Sequence, residues 1–135
     1  RLNAAIDECF EAFPRLAERR NQPASTLSGG EQQMLGVSKA LIIKPQLLLI
    51  DELSLGLAPI IVDQLLDMVR RINAGGTAVV VVEQSVNVAL SLVDHAYFME
   101  KGEIRFDGPA QDLLSRDDLL RAVFLGAAAT TGSVK

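Results

Sequence analysis

Two short aliphatic runs constrain the fold of this chain more than any other feature, because each is fully apolar and ends abruptly in polar side chains. Leu47 to Ile50 is followed by Asp51-Glu52, and Ala78 to Val82 is followed by Glu83-Gln84. Continuous apolar runs of this length predict strands that are buried on both faces, as in parallel sheets covered by helices. Because the carboxyl ends of parallel strands lie at one edge of a sheet, we expect these polar side chains to gather there.

Helical patterns precede and separate the two predicted strands. Ser28 to Ile43 has helical spacing, and so does Pro59 to Ile72, which begins with proline and is ended by Gly75-Gly76. The order strand, helix, strand predicts an α/β fold with a mainly parallel sheet flanked by helices.

The segment after the second strand predicts a further helix and a hairpin. Ser85 to Val93 is helical in pattern, and two β-type segments, His95 to Met99 and Glu103 to Phe106, lie on either side of the turn signal Lys101-Gly102. Ala127 to Lys135 consists mainly of small and polar residues without periodicity, which indicates a flexible tail.

Composition narrows the class of protein. With 135 residues, 49% of them hydrophobic, the chain is large enough for one domain with its own core. Its net charge of −4 and pI near 4.9 argue against nucleic-acid binding through a positive field. The single Cys9 allows no disulfide framework, and no apolar run is long enough to span a membrane, so we expect a soluble intracellular chain.

The N-terminal segment has helical spacing from its first residues, at Leu2, Ala5, Ile6, Cys9, Phe10 and Phe13. Because the chain opens on Arg1 and inside this pattern, we expect it to begin within a domain. Pro14 and Pro23 bracket a short polar helix or turn, Arg15 to Arg20, and a boundary is expected near Ala24.

The segment from Thr26 to Gln33, TLSGGEQQ, predicts a helix start that is able to bind an anion. Ser28 and Glu31 have the spacing of a capping box. Gly29 and Gly30 allow another molecule to approach the free backbone N–H groups of the first turn. The alternative is a capped helix that binds nothing.

Taken together, the motifs resemble those of ABC transporter ATP-binding subunits, over about residues 10–126. The family's signature, LSGGQ, is matched, with Glu in the last place, by Leu27, Ser28, Gly29, Gly30 and Glu31. Leu47 to Glu52 resembles the family's Walker B strand and catalytic glutamate, and its D-loop is matched by Ser54, Leu55 and Gly56. The chain is similar in particular to the ATPases of branched-chain amino-acid importers, which carry LSGGEQQML and LLLLDEPSLGLAP.

The resemblance implies an ATPase that uses ATP and Mg²⁺. Asp51 would hold Mg²⁺ through water, Glu52 would act on the attacking water, and Gln84 would reach the γ-phosphate. Ser28 to Gly30 would cap the γ-phosphate of an ATP bound mainly by an opposite subunit. The alternative for Asp51 and Glu52 is a strand that simply ends in a solvated acidic turn.

Three features depart from the family's pattern. The phosphate cradle GxxxxGK[ST] is absent from these 135 residues, since Gly75-Gly76-Thr77 has no lysine after it. Gln84 stands where most members have a histidine, and it donates a hydrogen bond but cannot become cationic. Leu53 replaces a proline after the glutamate, which removes a rigid turn but no reacting group. His95, the only histidine, is expected to be structural.

We therefore interpret the chain as the C-terminal part of an ABC ATPase domain that is inactive alone. Residues 1–24 would end the helical subdomain, 25–126 would form the signature, Walker B and switch half, and 127–135 would be the tail. The resemblance implies a head-to-tail homo- or heterodimer, integral-membrane permease subunits as partners and no nucleic acid. It also implies a cytoplasmic location on the inner face of the plasma membrane.

Two other functions are compatible with these motifs. A non-catalytic or regulatory partner would lend its signature to another subunit. ATPases of DNA repair and translation share LSGG, but the run SLGLAP, Ser54 to Pro59, argues against them. The transported molecule lies outside this sequence, because membrane and binding partners select it.

Overall fold

The computed structural model describes residues 2–116, which form two units, residues 2–84 and residues 85–116. The predicted tail at 127–135 and the preceding residues 117–126 lie outside the described residues. Within residues 2–116, no helix is both long and apolar enough to cross a membrane.

The first unit begins with two helices, α1 (Leu2–Ala12) and α2 (Pro14–Glu18). Pro14 occupies the first position of α2, where a missing N–H costs nothing. Phe13, between the two helices, is completely buried. A 3₁₀ turn at Ala24–Thr26 then leads to the long helix that follows. The predicted N-terminal helix and short second helix are therefore confirmed.

The predicted parallel strand pair is also confirmed. After α3 (Gly29–Ile43), strand β1 (Leu47–Asp51) pairs in parallel with β2 (Ala78–Val82), and α4 (Pro59–Ala74) connects them. The register places Leu47 opposite Ala78 and Asp51 opposite Val82, so both strands end at the same edge. The order strand, helix, strand thus gives the crossover that parallel pairing requires.

The core of this unit lies between α3 and α4, which pack on each other. Its fully buried side chains include Met34 on α3 and, from α4, Leu65, Met68 and Val69. These α4 residues recur at helical spacing on one face, which explains why an otherwise charged helix is held in place.

The expectation that both faces of the sheet are buried is wrong for the described residues. Side chains alternate along both strands between half-buried and exposed positions. The exposed row is apolar and consists of Leu47, Leu49, Val80 and Val82, with Leu49 68% exposed. Successive side chains point to opposite faces of a strand, so a helix layer on one face leaves every second residue uncovered. The described part of the chain supplies no layer over that second face.

The second unit contains α5 (Val86–Leu90), β3 (His95–Glu100), β4 (Glu103–Pro109) and α6 (Ala110–Leu114). Strands β3 and β4 form the predicted antiparallel hairpin. Its turn has φ values of +50° at Lys101 and +82° at Gly102, the left-handed pair that a two-residue hairpin loop demands.

Helix α5 is shorter than the helix predicted from Ser85 to Val93. Ser85 is its N-cap residue, and the Ser91 hydroxyl donates to the Val88 carbonyl at 2.8 Å. The Leu92 N–H likewise bonds to Ala89 over three residues, at 3.0 Å. Hydrogen bonds of this tighter kind end the α-helix one turn early.

Candidate functional site

The first turn of α3 is built as the capping box predicted. The Glu31 backbone N–H donates to the Ser28 hydroxyl at 3.4 Å, and the Ser28 N–H donates to Glu31 Oε2 at 2.8 Å. The reciprocal bonds hold the segment in one conformation. The N–H groups at the next positions, Gly29 and Gly30, have no acceptor within the helix and remain available to a ligand.

Glu31 has a second partner that sequence reasoning missed. Arg19, which follows α2, places its Nε 2.8 Å from Glu31 Oε1. The hydrogen bond from the Ser28 N–H lowers the pKa of the Glu31 carboxyl, partial burial opposes this, and the positive charges of Arg19 and Arg15 add to the lowering. Glu31 is therefore held as a carboxylate.

The two glycines of the segment have different surroundings. A Cβ built on Gly29 would meet nothing within 4 Å, whereas one built on Gly30 would lie 3.4 Å from Ile61 Cγ2. Gly30 therefore lies within ordinary contact distance of the start of α4. Gly29 faces open space.

A cleft of about 630 Å³ lies beside this segment in the first unit. Ser28, Gly30 and Glu31 form one side of it, and the turn at Gly56 and Leu57 forms another. The structure thus brings two predicted motifs, the helix start and the loop after β1, to a common opening. The other predicted side chains, Asp51, Glu52 and Gln84, do not line this cleft.

Those three residues meet instead at the end of the parallel strands. The Glu52 N–H donates to the Val82 carbonyl at 2.8 Å, which extends the strand pairing by one residue. The Gln84 amide Nε2 donates to Glu52 Oε1 at 2.7 Å. Glu52 has φ of +51°, a left-handed conformation that is uncommon outside glycine and that occurs at functional sites.

Asp51, the last residue of β1, is exposed, and its carboxylate has no hydrogen bond or ion pair within residues 2–116. No group of three or more His, Cys, Asp or Glu side chains in that range forms a ready-made metal cage. One free carboxylate is nevertheless the donor that Mg²⁺ takes from a protein when water and phosphates complete its shell. The donor chemistry at Asp51 therefore fits that cation.

A further residue at this strand end was not assigned a role from sequence. Glu83 accepts two hydrogen bonds from Ser54, from its backbone N–H at 2.8 Å and from its hydroxyl at 3.0 Å. Glu83 thus contacts Ser54, while the next residue, Gln84, contacts Glu52. No signal in the sequence identifies Ser54 as the partner of Glu83, because the two residues lie 29 positions apart.

The loop between β1 and α4 is anchored and turned by its own residues. Leu53 is fully buried, so the residue that replaces proline fills the core rather than merely loosening the turn. Gly56 has φ of +71°, a conformation that favours glycine. Leu55, between them, is 64% exposed.

His95 lies in the hairpin, where its Nε2 is 2.7 Å from Asp107 Oδ1 on the facing strand. Its ring also lies 5.0 Å from that of Tyr97. Both of these contacts of His95 lie within the hairpin.

Comparison with known proteins agrees with this arrangement. The profile of the ABC transporter family matches residues 3–54. The high-affinity branched-chain amino acid transport ATP-binding protein BraG of Pseudomonas aeruginosa is 47% identical over 121 residues, which cover 90% of this chain and 52% of that protein. A probable branched-chain amino acid transport ATP-binding protein, LivF of Archaeoglobus fulgidus, is 35% identical over 83% of this chain and 48% of its own length.

A solved ATP-binding subunit of an ABC transporter has the same fold, with a TM-score of 0.76 at 22% identity, over 93% of this chain and 53% of that one. The chain spans about half the length of the curated relatives it matches. From the fold, the motifs and these identities together, the chain belongs to the ABC transporter family of ATP-binding proteins.

Proposed function

We propose that this chain supplies the signature, Walker B and switch segments of the ATPase that powers an ABC importer. The observation that carries the proposal is the hydrogen bond from Gln84 to Glu52 at the shared end of β1 and β2. It joins the residue that would act on the attacking water to the residue that would reach the γ-phosphate, just beyond the ends of neighbouring strands. Residues 1–24 then end the helical subdomain, and 25–126 belong to the catalytic half.

The strand-end residues divide the work of hydrolysis. Glu52 accepts a hydrogen bond from the attacking water and takes up its proton, while Gln84 fixes the Glu52 carboxylate through Oε1 and leaves Oε2 for that water. Asp51 would hold Mg²⁺ through water. When bound, Mg²⁺ neutralises charge on the β- and γ-phosphates.

The start of α3 acts on a different nucleotide. Its cleft opens beside Ser28 and Gly30 but is not lined by Asp51, Glu52 or Gln84. This separation supports a head-to-tail dimer in which the signature caps an ATP held mainly by the opposite subunit. Ser54, Leu55 and Gly56 then lie beside the dimer contact, where the exposed Leu55 is available to a partner.

The identities to the two branched-chain amino acid transport proteins support import of branched-chain amino acids as the process served. We accordingly propose integral-membrane permease subunits as partners and the cytoplasmic face of the membrane as the location. Nucleic acid has no place in this function.

The test uses the complete polypeptide, with an upstream segment carrying a GxxxxGK[ST] cradle, assembled with its permease. Glu52→Gln should abolish ATP turnover while ATP binding and ATP-dependent dimerisation persist. Asp63→Asn, an exposed change on α4, is the matched control and should hydrolyse ATP normally. Turnover that survives in Glu52→Gln would remove Glu52 as the base. A complete polypeptide that never hydrolyses ATP but stimulates a second ATPase would instead be a non-catalytic partner.

A further inference from the structure

We infer that Arg19 is a positioning residue for the signature segment, acting through Glu31. The inference rests on the proposed function, since it assigns Arg19 to the same nucleotide-capping surface. Arg19 lies outside the signature, eight residues before Leu27, where the signature begins.

The geometry divides the Glu31 carboxylate between two donors. Oε1 faces Arg19 Nε at 2.8 Å, and Oε2 receives the Ser28 N–H at 2.8 Å. Arg19 is itself held, because its N–H bonds to the Leu16 carbonyl at 3.2 Å and its NH1 bonds to Gln22 at 3.2 Å. The carboxylate is thus fixed at both oxygens, and the Ser28 backbone is fixed with it.

The pair accounts for the departure from LSGGQ at the last signature position. The Glu31 side chain is only 12% exposed and that of Arg19 is 37% exposed, so the pair is better shielded from water than an open surface pair. A carboxylate left in this setting without a partner loses a charge-assisted bond that water replaces only in part. A neutral glutamine needs no such partner. Glu31 and Arg19 therefore form one unit.

Loss of Arg19 should free the Glu31 carboxylate to turn towards solvent and release the Ser28 N–H. The first turn of α3 would then present its N–H groups to phosphate less consistently. The variant should therefore weaken nucleotide capping and leave the strand-end residues Glu52 and Gln84 unchanged. We expect Arg19→Gln to raise the apparent KM for ATP by about fivefold and to change kcat by less than about twofold.

The decisive experiment is a double-mutant cycle in the complete, permease-bound ATPase. Arg19→Gln, Glu31→Gln and the double variant are compared for kcat and KM, with Arg70→Gln, which disrupts the exposed pair with Asp67 on α4, as the control. In the Glu31→Gln background, Arg19→Gln should leave KM within about twofold, because no carboxylate remains to be held. A packing role for the arginine side chain would instead give the same loss in both backgrounds and would overturn the inference.

Hydrogen exchange without nucleotide separates this inference from the proposed function. The peptide that contains the Ser28 amide should exchange faster in Arg19→Gln than in the wild type, and Arg70→Gln should leave it unchanged. If the complete polypeptide hydrolyses no ATP, the proposed function fails, and the exchange rate still decides whether Arg19 holds the segment. An unchanged rate in Arg19→Gln would refute the positioning role whatever the ATPase result.

Discussion

Glu83 holds Ser54 with both of its carboxylate oxygens, one receiving the backbone N–H at 2.8 Å and the other the hydroxyl at 3.0 Å. The next residue along, Gln84, holds Glu52. The segment after β2 therefore fixes both Glu52, the proposed hydrolytic carboxylate, and the start of the loop that follows it. In the proposed dimer, that loop would lie beside the partner, so Glu83 would link the strand end to the dimer contact.

Glu83→Ala should show how much the anchoring of the loop at Ser54 contributes to turnover and to stability. Removing both acceptors frees the loop at Ser54, and we expect kcat to fall roughly tenfold and stability to fall by about 1–3 kcal/mol. Ser54→Ala keeps the backbone hydrogen bond, so it should lower kcat and the free energy of unfolding by less than Glu83→Ala does. Steady-state hydrolysis and denaturant unfolding of the complete polypeptide measure the two effects. Equal losses in both variants would mean that only the hydroxyl matters.

Gln84 orients Glu52 without carrying charge, and this has a testable consequence. Gln84→Ala should lower kcat roughly tenfold and shift the unfolding free energy by less than about 0.5 kcal/mol, since the amide is exposed. Gln84→His restores the residue usual in the family and should add a pH dependence of turnover near about 6.5. Asn87→Ala, an exposed change three residues further along the chain on α5, serves as the control in the same pH series. A flat profile for Gln84→His would show that the position does not reach the phosphate.

Gly29 and Gly30 should respond differently to alanine. Gly29→Ala meets nothing within the chain, so its stability should be unchanged or slightly higher, while its methyl group blocks phosphate approach and lowers ATP-dependent dimerisation. Gly30→Ala would place its methyl group 3.4 Å from Ile61 Cγ2, in ordinary van der Waals contact, so it should keep its stability and lower dimerisation less than Gly29→Ala does. Thermal unfolding beside nucleotide-dependent dimerisation distinguishes the two. Full activity in Gly29→Ala would exclude the open side as the nucleotide face.

The lowered pKa of Glu31 predicts how the free energy of unfolding depends on pH. Its pKa is lowered in the folded state from about 4.5, chiefly by the Ser28 N–H, so its contribution is complete above that pH and is lost as the pH falls through the lowered value. The difference in unfolding free energy between wild type and Glu31→Gln should therefore be constant near about pH 7 and shrink below about pH 4.5. Denaturant unfolding across this range measures the difference. The prediction fails if the difference does not change with pH.

Leu53 should be far more important to stability than its neighbour Leu55. Leu53 is fully buried and Leu55 is 64% exposed. Leu53→Ala should cost about 2–5 kcal/mol through the cavity it leaves, whereas Leu55→Ala should change stability by less than about 0.5 kcal/mol. If Leu55 contacts a partner, the same variant should weaken dimerisation. Comparable destabilisation by both would contradict the burial seen here.

The parts of the fold that could be predicted from sequence are those encoded by near neighbours. The capping box of Ser28 and Glu31 spans three residues, and the strand pair follows from two apolar runs with a helix between them. Arg19 and Glu83 could not be assigned in this way, because their partners lie twelve and twenty-nine residues away and only the fold brings them together.

The burial of the strands was over-predicted for a related reason. An apolar run such as Leu47 to Ile50 predicts a strand that is buried on both faces. It does not identify the segment that packs on each face. The structure shows cover on one face among residues 2–116, and Leu49 and Val80 remain exposed on the other.

That uncovered row has a practical consequence for handling the molecule. Parallel strands with an apolar face and unpaired edges attract other chains, and they do so more strongly as chains are crowded together. Light scattering and dye binding by the purified 135-residue chain should therefore rise with its concentration. The two strands that bring Glu52 and Gln84 together also expose this apolar row. The protein concentration should therefore be controlled whenever this chain is studied alone.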